Sequence, residues 1–329
     1  VKRAIALMRR RAVSAIPVLL IVILFTFFLL ESASGDAVDA YLVSIGGGDA
    51  ALVASLRESY GLDQSMPARL WIYLSSLARL DLGWSVAFDR PVRDLILERL
   101  PNTLLLMGSA TALAFGLGST LGIVAGARPG SLGDRLLSMA SLIVYAIPSF
   151  WLGLVLSIAF SVKLRWFPIA GIETIASDKT GLARMADIIH HLALPVSALA
   201  IIYLALFLRV MRAGMVEAWK LDFVLFARAK GLSRGRIVLR HVARNALLPL
   251  VTMLGLQSAA MLGGSVVIES VFAIPGFGRL AQEAVGGRDA PLLIGIVIVS
   301  AVLVILVNLI VDIAYALLDP RVGASGERA

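Results

Sequence analysis

The side chains best equipped for chemistry in this sequence are few, and most are cationic. Arg236, Arg240 and Arg244 recur at four-residue spacing, which on a helix puts them on one stripe. They belong to a run from Arg209 to Arg244 that holds nine of the chain's 30 Lys and Arg residues against two acids, Glu217 and Asp222. Like charges at that spacing repel by about 0.2–0.5 kcal/mol per pair, so the stripe calls for an anionic neighbour. A phospholipid headgroup layer is one such neighbour, and an acidic or apolar groove on a cytoplasmic protein is another. A second set consists of polar groups in apolar surroundings: Tyr145 with Ser149, Gln257 with Ser258, and Asn308 with Asp312. Inside a membrane such groups line a solute path, relay ions or hold helices together by hydrogen bonds. His190 and His191 are adjacent, and neighbours on a helix project about 100° apart, a poor arrangement for sharing a metal.

What is missing narrows the chemistry further. There is no cysteine, which excludes disulfides, thiolate chemistry and Cys metal sites, and three histidines, two of them adjacent, are a poor basis for a multi-His centre. The phosphate-cradling pattern GxxxxGK[ST] is absent, as is HExxH. Energy for any work this chain does must then come from another polypeptide or from an ion gradient.

The elements that carry these residues are membrane helices. Over 329 residues, 59% are hydrophobic, 16% are charged and the mean hydropathy is +0.90, values of a polytopic membrane protein and not of a soluble domain. Apolar runs predict spans near Ala12–Leu30, Thr103–Ala127, Leu136–Phe160, Leu192–Leu208, Leu248–Phe272 and Leu292–Leu318. The first follows five cations and precedes small residues at Ser32–Gly35, but its apolar core exceeds the roughly 7–15 residues of a signal peptide, so it reads as a retained span. Gly118, Gly122 and Gly126, and again Gly255, Ala259 and Gly263, fall four apart, the pattern by which membrane helices approach closely. Between the first two spans lies a polar excursion with a Gly46–Gly48 break and amphipathic stretches around Leu52–Tyr60 and Arg69–Leu80. With both termini cytoplasmic, the inner segments total +13 and the outer loops −4, and the positive-inside rule favours that orientation. The net +8 is therefore sorted by membrane side and gives no cause to expect nucleic acid.

The basic run then lies between the fourth and fifth spans, on the cytoplasmic side. Ala218, Leu221, Leu225 and Ala229 give its first helix an apolar face; Gly231 suits a left-handed helix end, and Ser233 suits the cap of the next helix.

The segment DFVLFARAKGLSRGRIVLRHVARNALLP, Asp222 to Pro249, resembles the cytoplasmic loop of integral-membrane subunits of ATP-binding-cassette (ABC) importers of the dipeptide and oligopeptide branch. So do YGLDQSMPARLWIYLSSLARLDLGWS (Tyr60–Ser85) and RPVRDLILERLPNTLLL (Arg90–Leu106), which match the B-type subunit. ESVFAIPGFGRLAQEAVGGRDAP (Glu269–Pro291) and YALLDPRV (Tyr315–Val322) fit the same family. The resemblance implies an all-α ABC importer type I permease-like fold with six transmembrane helices and cytoplasmic termini. It divides the chain into residues 1–31 with the first span, a large extracytoplasmic loop at 32–101, and a five-helix core at 102–329 with a coupling loop at 213–247. It implies that Ala227, Arg228, Ala229, Lys230, Gly231, Leu232 and Ser233 form the coupling helix region that enters a cleft on an ATPase. The general pattern Glu-Ala-Ala-x-x-x-Gly is replaced by Leu225, Phe226 and Ala227 ahead of Gly231, which removes the expectation of a Glu-mediated contact.

The implied partners are a second, C-type permease subunit, two ABC ATPase subunits holding ATP and Mg, an extracytoplasmic substrate-binding protein and membrane lipid, with no cofactor or metal on this chain and no catalysis by it. Location is the cytoplasmic (inner) membrane, and the cargo is di- or oligopeptide. Tyr145, Ser149, Gln257 and Ser258 are the candidates for the substrate path. The competing reading is an ion-coupled secondary transporter using Asp312 and Gln257, which predicts inverted repeats with broken spans; none is evident. A membrane-embedded hydrolase would need a nucleophile paired with His190 or His191, and no serine is suitably spaced.

Overall fold

The computed structural model describes residues 2–32, 38–39, 42, 47, 50–59 and 63–318. Parts of the sequence reading lie outside them: Ala33–Gly35, Gly46 and Gly48, Tyr60–Leu62, and the tail from Asp319 onward. Helices dominate: α1 (Lys2–Glu31), α2 (Ala50–Ser59), α3 (Met66–Ala78), α4 (Val92–Ala127), α5 (Leu132–Tyr145), α6 (Ser149–Leu156), α7 (Gly181–Ala218), α8 (Asp222–Ala229), α9 (Arg234–Ile237), α10 (Ala243–Val271), α11 (Phe277–Gly286) and α12 (Ala290–Leu318). Wider π-helical turns extend α6 through Ser157–Lys163 and join α9 to α10 through Val238–Val242. Trp84–Ser85 and Arg90–Pro91 form a two-stranded antiparallel ribbon.

Among the described residues, four helical stretches are long and apolar enough to cross a membrane: Val92–Ala127, Gly181–Ala218, Arg234–Val271 and Ala290–Ala314. A shorter apolar stretch runs from Ile16 to Leu29. The predicted third span is not one straight helix. Leu132–Tyr145 and Ser149–Lys163 meet at 98°, because Pro148 takes extended angles (φ −63°, ψ 137°) and starts α6 as its N-cap instead of continuing α5. The predicted fourth span also changes: α7 continues to Ala218, so Arg209 and Arg212 are helical and not part of a loop.

The chain divides into two compact units, 1–103 with 275–305 and 104–274 with 306–329. In the first, Val92, Leu95, Ile96, Phe277, Leu280, Ala284, Leu292 and Ile296 form one apolar cluster, and Ile23, Phe27, Ile294 and Ile298 another. Asp289, fully buried, ties this unit together. One carboxylate oxygen accepts from Ser85 Oγ (2.6 Å) and the Ala87 amide (3.0 Å), and the other accepts from the Leu292 amide (3.1 Å), capping α12.

The second unit is built on the packing of α7 with α4, α5, α6 and α10. Gly118, Gly122 and Gly126 of α4 face Phe207, Met211 and Met215 of α7, all three fully buried, so closely that no Cβ could be added at those glycines without a clash. The predicted close-approach stripe is thus the α4–α7 seam. The second predicted stripe divides. Gly255 lies against Val311 and Asn308, whereas a side chain at Gly263 would meet nothing within 4 Å.

Candidate coupling surface and substrate path

The basic segment begins where α7 ends. Trp219 follows its last residue, and the indole Nε1 donates to the Gly126 carbonyl (2.8 Å). Arg234 donates from Nη2 to the Ala127 carbonyl (3.0 Å). Both carbonyls belong to the last turn of α4, whose C-terminal oxygens have no partner within the helix, so two side chains of the basic segment complete the end of α4. The guanidinium carbons of Arg228 and Arg234 lie 5.6 and 5.9 Å from the centre of the Trp219 ring, within cation–π range. Pro129, Trp219, Arg228, Leu232, Arg234 and Ile237 enclose an open groove of about 530 Å³.

Helix α8 ends as the sequence predicts, in a left-handed turn. Gly231 has φ +73°, its amide donates to the Arg228 carbonyl (2.9 Å), and the Leu232 amide donates to the Ala227 carbonyl (3.2 Å). This pair of bonds is the Schellman arrangement, which satisfies the final carbonyls and turns the chain sharply. Ser233 occupies the N-cap position of α9 in extended geometry, but its hydroxyl makes no capping hydrogen bond, so only half of that expectation holds.

Burial separates the candidates in this region. Ala227 is buried with Val224 and anchors α8; Leu232 is half-buried; Arg228, Ala229, Lys230, Gly231 and Ser233 are exposed. The apolar face predicted from Ala218, Leu221, Leu225 and Ala229 is not turned into the chain, apart from Ala218. Leu221, Leu225 and Phe226 are 50, 69 and 66% exposed. Arg236, Arg240 and Arg244 are exposed as well. The segment therefore presents apolar and cationic groups outward together, on a helix fixed to the second unit from behind.

Behind this segment lies an ion pair that the sequence did not single out. Asp134, buried near the start of α5, accepts from Arg212 of α7 through Nε and, at 2.8 Å, through Nη2; it also accepts from the Gly130 amide (2.8 Å) and from Ser138 Oγ (3.4 Å). A bidentate guanidinium–carboxylate pair of this kind fixes both distance and orientation. The sequence signal was present but weak: one acid in a short loop that otherwise holds only cations.

Of the path candidates, Tyr145 and Ser149 flank the α5–α6 break. Tyr145 is 50% exposed, with the Arg209 guanidinium 4.3 Å above its ring. Gln257 and Ser258 lie half-buried on α10, and the Ser258 hydroxyl donates to its own helix at Leu254 (2.7 Å). Asn308 and Asp312 are half-buried on α12. His190 Nε2 donates to the Trp166 carbonyl (2.8 Å), and His191 uses Nδ1 toward the Asp187 carbonyl (2.9 Å); the two rings stand edge to face 6.5 Å apart. Asp187 itself accepts from Lys179 (2.6 Å), the Thr174 amide (2.6 Å) and Thr174 Oγ1 (2.9 Å), which closes the loop before α7. His190 and His191 thus each have a structural hydrogen bond, and among the described residues no three His, Asp or Glu groups gather as a metal site.

Residues 118–324 match the family of binding-protein-dependent transport system inner membrane components, and residues 4–107 match the N-terminal region of such membrane components. The chain belongs to this family. It is a multi-pass inner-membrane component of a transport system, and the reading as an ion-coupled secondary transporter is set aside. The family member is 38% identical over 315 residues to the oligopeptide transport system permease protein AppB of Bacillus subtilis, covering 95% of this chain and 98% of that one. It is 37% identical over 313 residues to a putative peptide permease protein of Brucella ovis, covering 95 and 97%. Its fold is similar to a chain of the MetNI methionine ABC transporter in inward-facing crystals, with TM-scores of 0.54 and 0.55 at 18% identity, covering 68% of this chain and 96% of that one.

Proposed function

We propose that this permease forms half of the transmembrane path of an ATP-driven importer of di- or oligopeptides, beside a second permease subunit. Two ATPase subunits hold the ATP and Mg and do the hydrolysis, an extracytoplasmic binding protein delivers the cargo, and the chain itself is not catalytic. Peptide as cargo is supported by the near full-length likeness to relatives that carry peptide names. Six spans with cytoplasmic termini suit this reading and the charge asymmetry of the loops.

The observation that carries the coupling role is the outward face of α8. Leu221, Leu225 and Phe226 are exposed on a helix whose other side is anchored by Val224 and Ala227 and whose end is held by the Gly231 turn. A helix that offers apolar and basic side chains on a rigid mount suits a groove on a partner better than it suits free solvent. Motion of an ATPase against residues 227–233 would pass through Trp219 and Arg234 to the end of α4, and through Arg212 to α5. Rigid-body transmission of this kind can switch access from one side of the membrane to the other.

Affinity purification in mild detergent tests the reading, with intact chain beside a variant in which residues 227–233 are replaced by a flexible linker. The expected result is that an ABC ATPase and a second permease accompany the intact chain and that the variant loses the ATPase alone. Recovery of both forms without an ATPase would refute it and leave the segment as a lipid-lying belt.

A further inference from the structure

Arg209 lies on the membrane helix α7 and has no carboxylate partner among the described residues. Its Nε is sealed from solvent and makes no hydrogen bond, and its guanidinium is laid 4.3 Å from the centre of the Tyr145 ring. An arginine that merely reaches for the headgroup layer keeps its charged end in water. This one instead gives up hydration at Nε while its other nitrogens remain accessible. Tyr203 lies six residues earlier on α7, and Gly264 of α10 leaves room for its hydroxyl, with a Cβ position 3.4 Å away. Neither phenol hydroxyl has a hydrogen-bond partner among the described residues, and the Tyr203 hydroxyl is not sealed from solvent. A guanidinium therefore lies over one phenol beside the α5–α6 break, with a second phenol further along α7 and no carboxylate supplied to the guanidinium by the described residues.

We propose that Arg209, Tyr145 and Tyr203 form an oxyanion site on the transport path that takes the carboxylate of the cargo. A planar guanidinium matches a carboxylate with two parallel hydrogen bonds, and phenol hydroxyls can supply further donors. The half-exposed Tyr145 ring then sets the guanidinium plane through cation–π contact. The assignment rests on the peptide reading above, in which every free cargo molecule ends in a carboxylate.

The test is uptake of labelled trialanine and of its C-terminal amide by the complete purified transporter in phosphatidylcholine vesicles. Wild type is compared with Arg209→Gln, Arg209→Lys and Tyr203→Phe. The binding protein is the same throughout, so its own preference cancels when the acid-to-amide ratio of each variant is divided by that of wild type. The expected ratio falls about tenfold or more in Arg209→Gln, less in Arg209→Lys, and by a few-fold in Tyr203→Phe. An unchanged ratio in Arg209→Gln, with uptake persisting, overturns the site and leaves the peptide reading standing. Equal loss of both cargoes, reversed by adding phosphatidylglycerol, assigns Arg209 to a lipid phosphate and also overturns it. Should Arg209→Gln fail to assemble, the ratio in Tyr203→Phe decides: lowered supports the site, unchanged refutes it. No peptide uptake by wild type removes the peptide reading and this site with it.

Discussion

Adding one methyl group to the α4–α7 seam should separate two helices, and its cost can be worked from the geometry. A Cβ at Gly122 would lie 2.5 Å from Met211 Cβ and 2.8 Å from the Leu208 carbonyl oxygen, where ordinary contact is 3.4–4 Å. Neither atom is the end of a flexible side chain, so the helices must part by about 1 Å, loosening the contacts of Phe207, Met211 and Met215 on either side. Overpacking of this kind costs about 1–3 kcal/mol, and the short contacts place Gly122→Ala toward the upper end. Gly116 on the same helix provides the control, since nothing lies within 4 Å of its added Cβ. Alanine gains about 1 kcal/mol of helix propensity over glycine at either position, so that gain cancels in the difference between the variants. Reversible unfolding in mixed micelles, followed by circular dichroism, should find Gly122→Ala less stable than Gly116→Ala by about 2–3 kcal/mol. Met211→Ala should give no rescue, because it retains the Cβ that clashes. Equal stability of the two glycine variants, or rescue by Met211→Ala, would refute the packing argument.

Two further outcomes follow from the basic segment and the ion pair behind it. Arg212→Ala leaves the Asp134 carboxylate buried with only Gly130 and Ser138 as donors; breaking a buried pair costs about 3–5 kcal/mol, and because the Arg212 side chain is 33% exposed the low end of that range is expected in the same unfolding assay, with Asp134→Asn/Arg212→Gln recovering most of it. Gly231 has open space around it but φ +73°, so Gly231→Val strains the turn by about 1–2 kcal/mol whereas Gly231→Asn is tolerated. In the reconstituted complex, Gly231→Val should lower peptide uptake per ATP hydrolysed and Gly231→Asn should not; equal ratios would show that the turn does not carry the coupling motion.

What the sequence determined by itself is everything that depends on periodicity, composition and local turn chemistry. Apolar runs of bilayer length, glycines four apart at Gly118, Gly122 and Gly126, and the Gly231 helix end are each statements about neighbours within a few residues. Local statements of that kind survive folding, and together with the quoted family segments they were enough to place the chain in its class. The misreadings came from elements longer or shorter than their apolar cores. Helix α7 extends ten residues past the predicted end of its span, because Asp134 and the buried seam hold its polar last turns, and so Arg209 and Arg212 were assigned to a loop. The apolar run Leu136–Phe160 reads as one span, but Pro148 separates it into two helices, since the chain turns by 98° around it.

Only the tertiary structure decided which polar groups meet. Asp134 and Arg212 are 78 positions apart, Trp219 and Gly126 are 93 apart, and Arg209 and Tyr145 are joined by no pattern in the chain. It also decided direction. The apolar side of α8 could have packed inward by its spacing alone, and it is outward because Val224 and Ala227 occupy the inner face. Spacing defines a face of a helix, but the partner for that face is set by packing across long separations, where a single sequence carries no signal.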